Sequence, residues 1–136
     1  MTRLSGFRER SHIADWELEV WGPDLPALFE QAVRGMYSFL GVRLQPGLRN
    51  HRKIELEALD VESLLVRFLE EILYLQALQH LAFDTFAIQV DNIYLNAELS
   101  GGIIASLDKE IKAVTYHNLK IHPTRRGLET RIVFDV

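Results

Sequence analysis

The sequence predicts an α+β domain in which two helices pack on a largely antiparallel β-sheet. Two segments carry apolar residues at helical spacing, and most of the others alternate or are rich in β-branched and aromatic residues, as strands are. The order strand, helix, strand, helix and then a run of strands is typical of this class. A length of 136 residues suits one core, so we expect residues 1–136 to form a single domain.

Composition excludes several classes of protein. Hydrophobic residues make up 48% of the chain and the net charge is −4, which argues against a disordered chain and against a basic RNA-binding domain. Cysteine is absent, which excludes disulfides and thiolate metal sites and favours a reducing compartment. No apolar run approaches the roughly 20 residues that span a bilayer, and the first residues lack the apolar core of a signal peptide. We therefore expect a soluble cytoplasmic protein without membrane contact.

One strand and one helix are predicted near the amino terminus, after residues 1–7, which we expect to be mobile. Residues 12–22 alternate between apolar and acidic side chains, as a half-buried strand does. The apolar side consists of Ala14, Trp16, Leu18 and Val20, and the acidic side of Asp15, Glu17 and Glu19. Asp24 can cap a helix with an apolar stripe from Leu25 to Leu40, and Gly41 is a suitable end for it.

A second strand and helix follow a predicted loop at residues 42–52. Residues 53–59 alternate again, with Ile54 and Leu56 on the buried side. Asp60 can cap a second helix whose apolar stripe is richer than the first. We expect this helix to lie across the sheet and to fray near residues 79–81.

A hairpin is predicted next, with strands at residues 86–90 and 93–99. Asp91 and Asn92 between them both tolerate turn conformations. Gly101 and Gly102 are expected to break the second strand. Residues 103–108 fit either a strand or a helical turn.

Two strands complete the prediction. Residues 110–122 are expected to form one long strand, covered on both sides, with a possible bulge near Asn118, because Val114, Thr115 and Tyr116 favour extended backbone. A turn at residues 123–127 leads into a last strand at residues 128–136.

Acidic residues at strand ends are the first candidates for chemistry. Asp15 lies on the acidic side of the first long strand, and the last strand ends in Asp135 and the terminal carboxylate of Val136. If these strands are neighbours, three carboxylates come together and need a cation or a lysine to neutralise them. Oxygen donors suit calcium or magnesium, and a nearby histidine would admit zinc. The alternative is that these carboxylates are simply solvated.

Other polar residues have two interpretations each. His12 is either a metal ligand, if a bulge or a strand start re-aims it, or a surface histidine. His117 either pairs with Thr115 or is satisfied by backbone. Lys112 either balances the carboxylates, or contacts a phosphate, or reaches water from an exposed edge. A basic group is either a solvated face or a contact for an acidic partner or RNA; it consists of Arg49, His51, Arg52 and Lys53.

Known catalytic patterns are missing from the sequence. The glycine pair at residues 101–102 lacks the lysine and the helix of a P-loop, and no His-Glu-x-x-His motif is present. No Ser-His-Asp spacing or Cys-His pair occurs either. The residues alone therefore do not identify an enzyme class.

Four segments, in a fixed order, are typical of a known family. They are residues 12–15 (HIAD) followed by Trp21-Gly22, residues 24–32 (DLPALFEQA), residues 63–74 (SLLVRFLEEILY), and residues 111–119 (IKAVTYHNL) with Asp135-Val136. With these segments the chain resembles the archease family. The run KAVTYH is the most specific of them. Ile13 stands where the family commonly has threonine, Ser11 where it has an acidic residue, and Trp16 where it has a small aliphatic one.

The resemblance implies an accessory protein rather than an enzyme. Archeases promote guanylylation and multiple turnover of the RtcB-type ligase, which joins RNA ends in tRNA splicing or RNA repair. The partner implied is that ligase, with RNA contacted only through it. The implied metal ligands are Asp15, Asp135 and the main chain or carboxylate of Val136, with calcium expected first and zinc or magnesium as alternatives. Lys112 matches a lysine of the functional signature, and His117 and His12 are assigned to ligase activation with it.

Two other functions stay open at this point. One is a stand-alone, metal-dependent phosphoester hydrolase that uses the same carboxylates, although no general base can be named for it. The other is a chaperone-like interaction module that uses the sheet face and no metal.

Overall fold

Two antiparallel sheets and two helices make up the fold, in a computed structural model that describes residues 4–11 and 15–136. The elements are β1 (Gly6–Ser11), β2 (Asp15–Gly22), α1 (Leu25–Leu40), β3 (Arg43–Leu44), β4 (Asn50–Glu57), α2 (Val61–Gln79), β5 (Leu81–Asp91), β6 (Tyr94–Ser106), β7 (Ala113–Val114), β8 (His122–Thr124) and β9 (Gly127–Asp135). The predicted α+β class is confirmed. The strands are divided between two sheets, where the sequence predicted one.

Strand β9 organises the first sheet and β6 the second. The order β1-β2-β9-β7 describes the first, and β8 also pairs with β9. In the second sheet β6 pairs with β3, β4 and β5. The last strand of the chain therefore lies beside the second, so that residues more than a hundred positions apart become neighbours.

Both helices begin and end where their capping residues predict. The Asp24 side chain accepts a hydrogen bond from the Ala27 N–H at 2.9 Å, and the Asp60 side chain accepts one from the Ser63 N–H at 2.7 Å. Gly41 ends α1 with a φ of 68°, in the left-handed region that favours glycine. These local signals explain why both helix predictions are confirmed.

One hydrophobic core lies between the helices and the two sheets. Helix α1 contacts β2 and β5, and α2 contacts β5, β4 and β7. Trp16 is fully enclosed: its ring stacks on Phe39 with centroids 4.1 Å apart and lies 4.9 Å from Phe134. Strand β2 is therefore fixed from its inner face, which leaves its outer face for polar residues.

Three predictions of loops and breaks are wrong. Gly6 and Phe7, which were predicted to be mobile, belong to β1, which pairs along its whole length with β2. The predicted loop at residues 42–52 contains β3 and the first residues of β4. Gly101 and Gly102 do not break β6, which continues to Ser106. Gly101 is needed because a Cβ there would overlap the backbone of Ala82 and Phe83 on the neighbouring strand.

The predicted long strand at residues 110–122 is also wrong. Only Ala113–Val114 and His122–Thr124 are extended, and both pair with β9. Between them the backbone turns: the Leu119 N–H donates to the Tyr116 carbonyl at 3.1 Å, and Asn118 has a φ of 55°. The branched and aromatic residues favour extended backbone, but the turn at Asn118 decides the path of this segment.

Candidate functional site

Asp15 and Asp135 occupy directly opposite positions on β2 and β9. Directly opposed side chains on antiparallel strands have Cβ atoms about 4.5–5.5 Å apart, close enough for two carboxylates to repel each other. The register also places both side chains on the outer face of the sheet. The next pair along the two strands, Trp16 and Phe134, is buried in the core, and side chains alternate between the two faces. Two acidic residues far apart in sequence thus form one acidic pair.

One oxygen of this pair has an unusual environment. Asp15 Oδ1 is buried, and it has no hydrogen-bond partner within residues 4–11 and 15–136. Asp135 is exposed. Burying a carboxylate oxygen without a partner is costly, and a cation would offset that cost. The donor set is all oxygen, which fits a hard divalent ion.

The described part of the chain holds two of the side chains that such an ion would need. Over residues 4–11 and 15–136, no group of three or more His, Asp or Glu side chains is arranged to hold a metal. Further donors would come from main-chain oxygen or from water. Val136 follows Asp135 and is 38% exposed. His12 lies outside the described residues.

Lys112 lies beside the acidic pair through its backbone. Its N–H donates to the Asp135 carbonyl at 2.7 Å, and the next residue, Ala113, is the β7 partner of Asp135. The Lys112 side chain is exposed. Three of the predicted residues, Asp15, Asp135 and Lys112, therefore meet at one end of the five-stranded sheet.

His117 lies in the turn that follows β7, not on a strand. Its N–H donates to Thr115 Oγ1 at 3.3 Å, and its ring Nε2 lies 3.3 Å from Asn118 Nδ2. The predicted pairing with Thr115 thus involves the backbone of His117, while the imidazole itself is exposed.

Two side chains from other elements hold this turn in place. Glu62, in the first turn of α2, accepts a hydrogen bond from the Ile121 N–H at 3.0 Å. Thr130, fully buried on β9, donates its hydroxyl to the Lys120 carbonyl at 2.8 Å. The exposed side chains of the turn therefore project from a backbone anchored to both a helix and a strand. Neither anchor was predicted, because each depends on a contact across the fold.

A buried glutamate with three arginines lies on the same outer face. Glu19 is 4% exposed, and its carboxylate oxygens lie 2.9 Å from Arg10 Nε, 3.2 Å from Arg131 Nη2 and 3.8 Å from Arg8 Nη1. Glu19 was predicted on the polar side of its strand, which is correct, but its burial was not foreseen. Residues 7–10 (FRER) contain only one apolar residue, so alternation gives little signal for β1 and this cluster.

An arginine also covers the aromatic residue at the far end of this face. The Arg126 guanidinium lies 3.8 Å from the centroid of the Trp21 ring, and its Nε donates to Glu129 Oε1 at 2.9 Å. That hydrogen bond holds the pKa of Glu129 below its usual value, against an opposing effect of burial. The predicted basic group at residues 49–53 lies elsewhere, on β4 and the segment before it, where Arg49 pairs with Asp84.

The chain matches known proteins over nearly its full length. Residues 7–136 fit the model of the Archease protein family (MTH1598/TM1083). The protein called archease from Archaeoglobus fulgidus is 30% identical over 135 residues, which cover 96% of this chain and 98% of that protein. The Methanosarcina barkeri protein of the same name is 34% identical over 136 residues, covering 92% of each.

Solved structures share the fold. The solution structure of Methanobacterium thermoautotrophicum protein 1598 matches with a TM-score of 0.75 at 24% identity, covering 96% of this chain and 99% of that one. The crystal structure of "an archease, possible chaperone" from Thermotoga maritima matches with a TM-score of 0.70 at 23% identity, covering 93% of this chain and 97% of that one.

Within the described residues, neither helix has the length and apolar character to cross a membrane.

Proposed function

The chain belongs to the archease family, and we propose that it is a non-enzymatic activator of an RtcB-type RNA ligase. In this proposal it promotes guanylylation of the ligase and its repeated turnover in tRNA splicing or RNA repair. It works in the cytoplasm, as the absence of cysteine favours. The single observation that supports the mechanism best is the opposed pair Asp15 and Asp135.

The residues that would hold the proposed divalent ion are Asp15, Asp135 and an oxygen of Val136. The buried, unpartnered Oδ1 of Asp15 supports this assignment, since a carboxylate oxygen in that position lacks a compensating contact among the described residues. Calcium is the first choice because all the donors are oxygen. When bound, such an ion would supply positive charge that stabilises phosphate oxygens.

Lys112 and the turn after it form the other half of the proposed activating surface. Lys112, whose main-chain N–H is bonded to the Asp135 carbonyl and whose side chain is exposed, can contact a nucleotide phosphate on the ligase, where guanylylation builds up negative charge. His117, exposed on a turn fixed by Glu62 and Thr130, can donate or accept a proton or hydrogen bond at the same contact. His12 belongs to the proposal through the family resemblance.

Multiple-turnover RNA joining by the ligase is the test of this proposal. Asp15→Asn and Asp135→Asn keep the size of each side chain and remove its charge, and Asp91→Asn removes the same charge from the distant β5–β6 turn. We expect both site variants to lose stimulation and the turn variant to keep it. Full stimulation by the site variants would disprove the assignment.

The same variants separate the competing functions. A stand-alone hydrolase would release phosphate from phosphoesters with a divalent ion and without the ligase, and would lose that activity in Asp15→Asn. A metal-independent chaperone-like module, as the name of the Thermotoga maritima structure suggests for that protein, would stimulate equally with a chelator present. Either result would replace the proposed function.

A further inference from the structure

We infer that the arginine cluster around Glu19 is a binding surface for the phosphate backbone of single-stranded RNA. The cluster consists of Arg8, Arg10, Arg131 and Glu19 on the outer face of the five-stranded sheet. The choice of RNA over another polyanion rests on the proposed function. The presence of an anion site rests on the geometry alone.

The cluster holds more positive charge than its structure requires. One carboxylate needs one or two guanidinium groups to satisfy its oxygens, yet three converge on Glu19. Each of these arginines offers five N–H donors, more than its share of one carboxylate can accept. The side chains of Arg8, Arg10 and Arg131 remain 58%, 45% and 59% exposed. About half of each side chain is therefore accessible to a second anion.

Glu19 fixes these side chains in place without being accessible itself. It is 4% exposed and lies beneath the arginines, so an approaching anion meets guanidinium groups first. A guanidinium fork that is already oriented loses less side-chain entropy when it binds a phosphate. The same anchoring contact therefore both stabilises the sheet and orients the cluster.

Positive charge extends from the cluster towards the β8–β9 turn. Arg126 lies over Trp21 on this face, and Arg125 borders the same surface hollow as Arg126. The five arginines at this end of the face outnumber its three glutamates, which are Glu17, Glu19 and Glu129, while the acidic pair Asp15 and Asp135 lies at the other end of the same face; the whole chain has a net charge of −4. Such separation of charge favours a polyanion over a neutral partner.

The location of the cluster connects it with the acidic pair. Glu19 and Arg131 are partners in the same β2–β9 ladder as Asp15 and Asp135, four residues further along. At roughly 3.4 Å per residue the two sites lie about 14 Å apart on one sheet face. An RNA strand on the arginines would thus reach towards the activating end of the sheet. This would be a direct contact, in addition to the indirect contact with RNA through the ligase.

Anisotropy of a fluorescently labelled single-stranded RNA tests the inference, with this protein alone and a chelator present. Arg8→Gln with Arg131→Gln leaves Arg10 to satisfy Glu19. We expect affinity to fall about 25-fold at about 0.1 M salt, and the slope of log K against log salt concentration to fall by about 1.4, since each phosphate contact on a single strand contributes about 0.7. Arg43→Gln with Arg49→Gln is the matched control. It removes the same charge from residues that each pair with one carboxylate, and it should keep wild-type binding.

Three results would overturn the inference. They are no RNA binding by the wild type, equal loss in the control, or tighter binding of polyglutamate than of RNA, which would indicate an acidic protein as the partner. If the double variant unfolds, Arg8→Gln alone serves, because Arg8 is the most distant of the three from Glu19. Because the assay contains neither ligase nor metal, its failure would leave the proposed function untouched, and failure of ligase stimulation would leave the anion site standing.

Discussion

The main-chain N–H of Lys112 donates a hydrogen bond to the carbonyl oxygen of Asp135 over 2.7 Å. This bond fixes the segment that carries Lys112 against the strand that carries Asp135, one member of the acidic pair. The lysine ammonium remains exposed, so its position can be controlled from the backbone while its charge faces outward. A substitution that shifts either the Lys112 segment or the Asp135 strand should therefore shift the other as well.

Divalent ions should stabilise the wild-type fold through the acidic pair. At a calcium concentration about 100-fold above its Kd the gain is about 2.7 kcal/mol, which raises the melting temperature by several degrees. Asp135→Asn should abolish this shift and, without the ion, should leave stability unchanged or slightly higher, since like charges directly opposite each other are removed. Thermal melts with calcium and then with excess chelator measure both effects. An equal shift in Asp135→Asn and in the control Asp91→Asn would place the ion elsewhere.

Removing the anchor at Glu62 should loosen the turn without affecting the acidic pair. Glu62→Ala frees the Ile121 N–H, and a hydrogen bond to a charged acceptor is worth about 1.5–3 kcal/mol. Hydrogen exchange at the Ile121 amide should therefore speed up, and ligase stimulation should fall while the calcium-dependent melting shift persists. Glu70→Ala, an exposed position on the same helix, is the control. Unchanged exchange at Ile121 would show that the turn is held in other ways.

The free energy of unfolding should fall at alkaline pH because of Tyr37. Its hydroxyl accepts a hydrogen bond from the Phe83 N–H at 3.1 Å, and burial raises its pKa above the ordinary value near 10 by more than this bond lowers it. The unfolded tyrosine ionises near pH 10 while the folded one stays protonated. The stabilising contribution of Tyr37 to the free energy of unfolding is thus fully present below pH 10. Above pH 10 it is lost, by up to about 1.4 kcal/mol per pH unit.

Tyr37→Phe isolates this effect. At neutral pH the variant should lose about 1–3 kcal/mol, because the Phe83 N–H is left without its acceptor. Its free energy of unfolding should then fall less steeply than that of the wild type between pH 10 and 12. Denaturant unfolding across this range gives the comparison, with the exposed Tyr74→Phe as control. Parallel curves for wild type and Tyr37→Phe would exclude Tyr37 as the cause.

Adjacent glycines on β6 should respond differently to alanine. A methyl group at Gly101 would overlap the backbone of Ala82 and Phe83, so Gly101→Ala should cost about 1–3 kcal/mol or more. At Gly102 the nearest heavy atom would be 3.7 Å away, an ordinary contact, so Gly102→Ala should be close to neutral or stabilising by up to about 1 kcal/mol. Chemical unfolding of both variants measures the change in the free energy of unfolding and so tests this difference. Similar values for the two would mean that β5 shifts to accommodate the Gly101 methyl group.

The helices could be predicted from sequence because their signals are local. Asp24 and Asp60 cap helices by binding amides three residues away, and Gly41 ends one through its own backbone freedom. The segment at residues 110–122 could not be predicted in the same way. Its strand-forming residues are outweighed by a turn at Asn118 and by anchors from α2 and β9 that are distant in sequence.

The candidate site could be predicted from the sequence in part, less fully than the helices and more fully than residues 110–122. The sequence predicted that Asp15 and Asp135 would be neighbours if the first and last strands pair, and the structure has them directly opposite each other. Register itself could not be read from the sequence, since it depends on how both faces pack. The arginine cluster around Glu19 was missed because β1 is recognisable only once its partner strand is known.

The central position of β9 has a consequence for how the surfaces of the protein depend on one another. Its ladders with β2, β7 and β8 bring together the acidic pair, the segment that carries Lys112 and the arginine cluster. The inner face of the same strand places Ile132 and Phe134, both fully buried, in the core. A substitution that shifts the pairing or the packing of β9 should therefore alter all three surfaces at once.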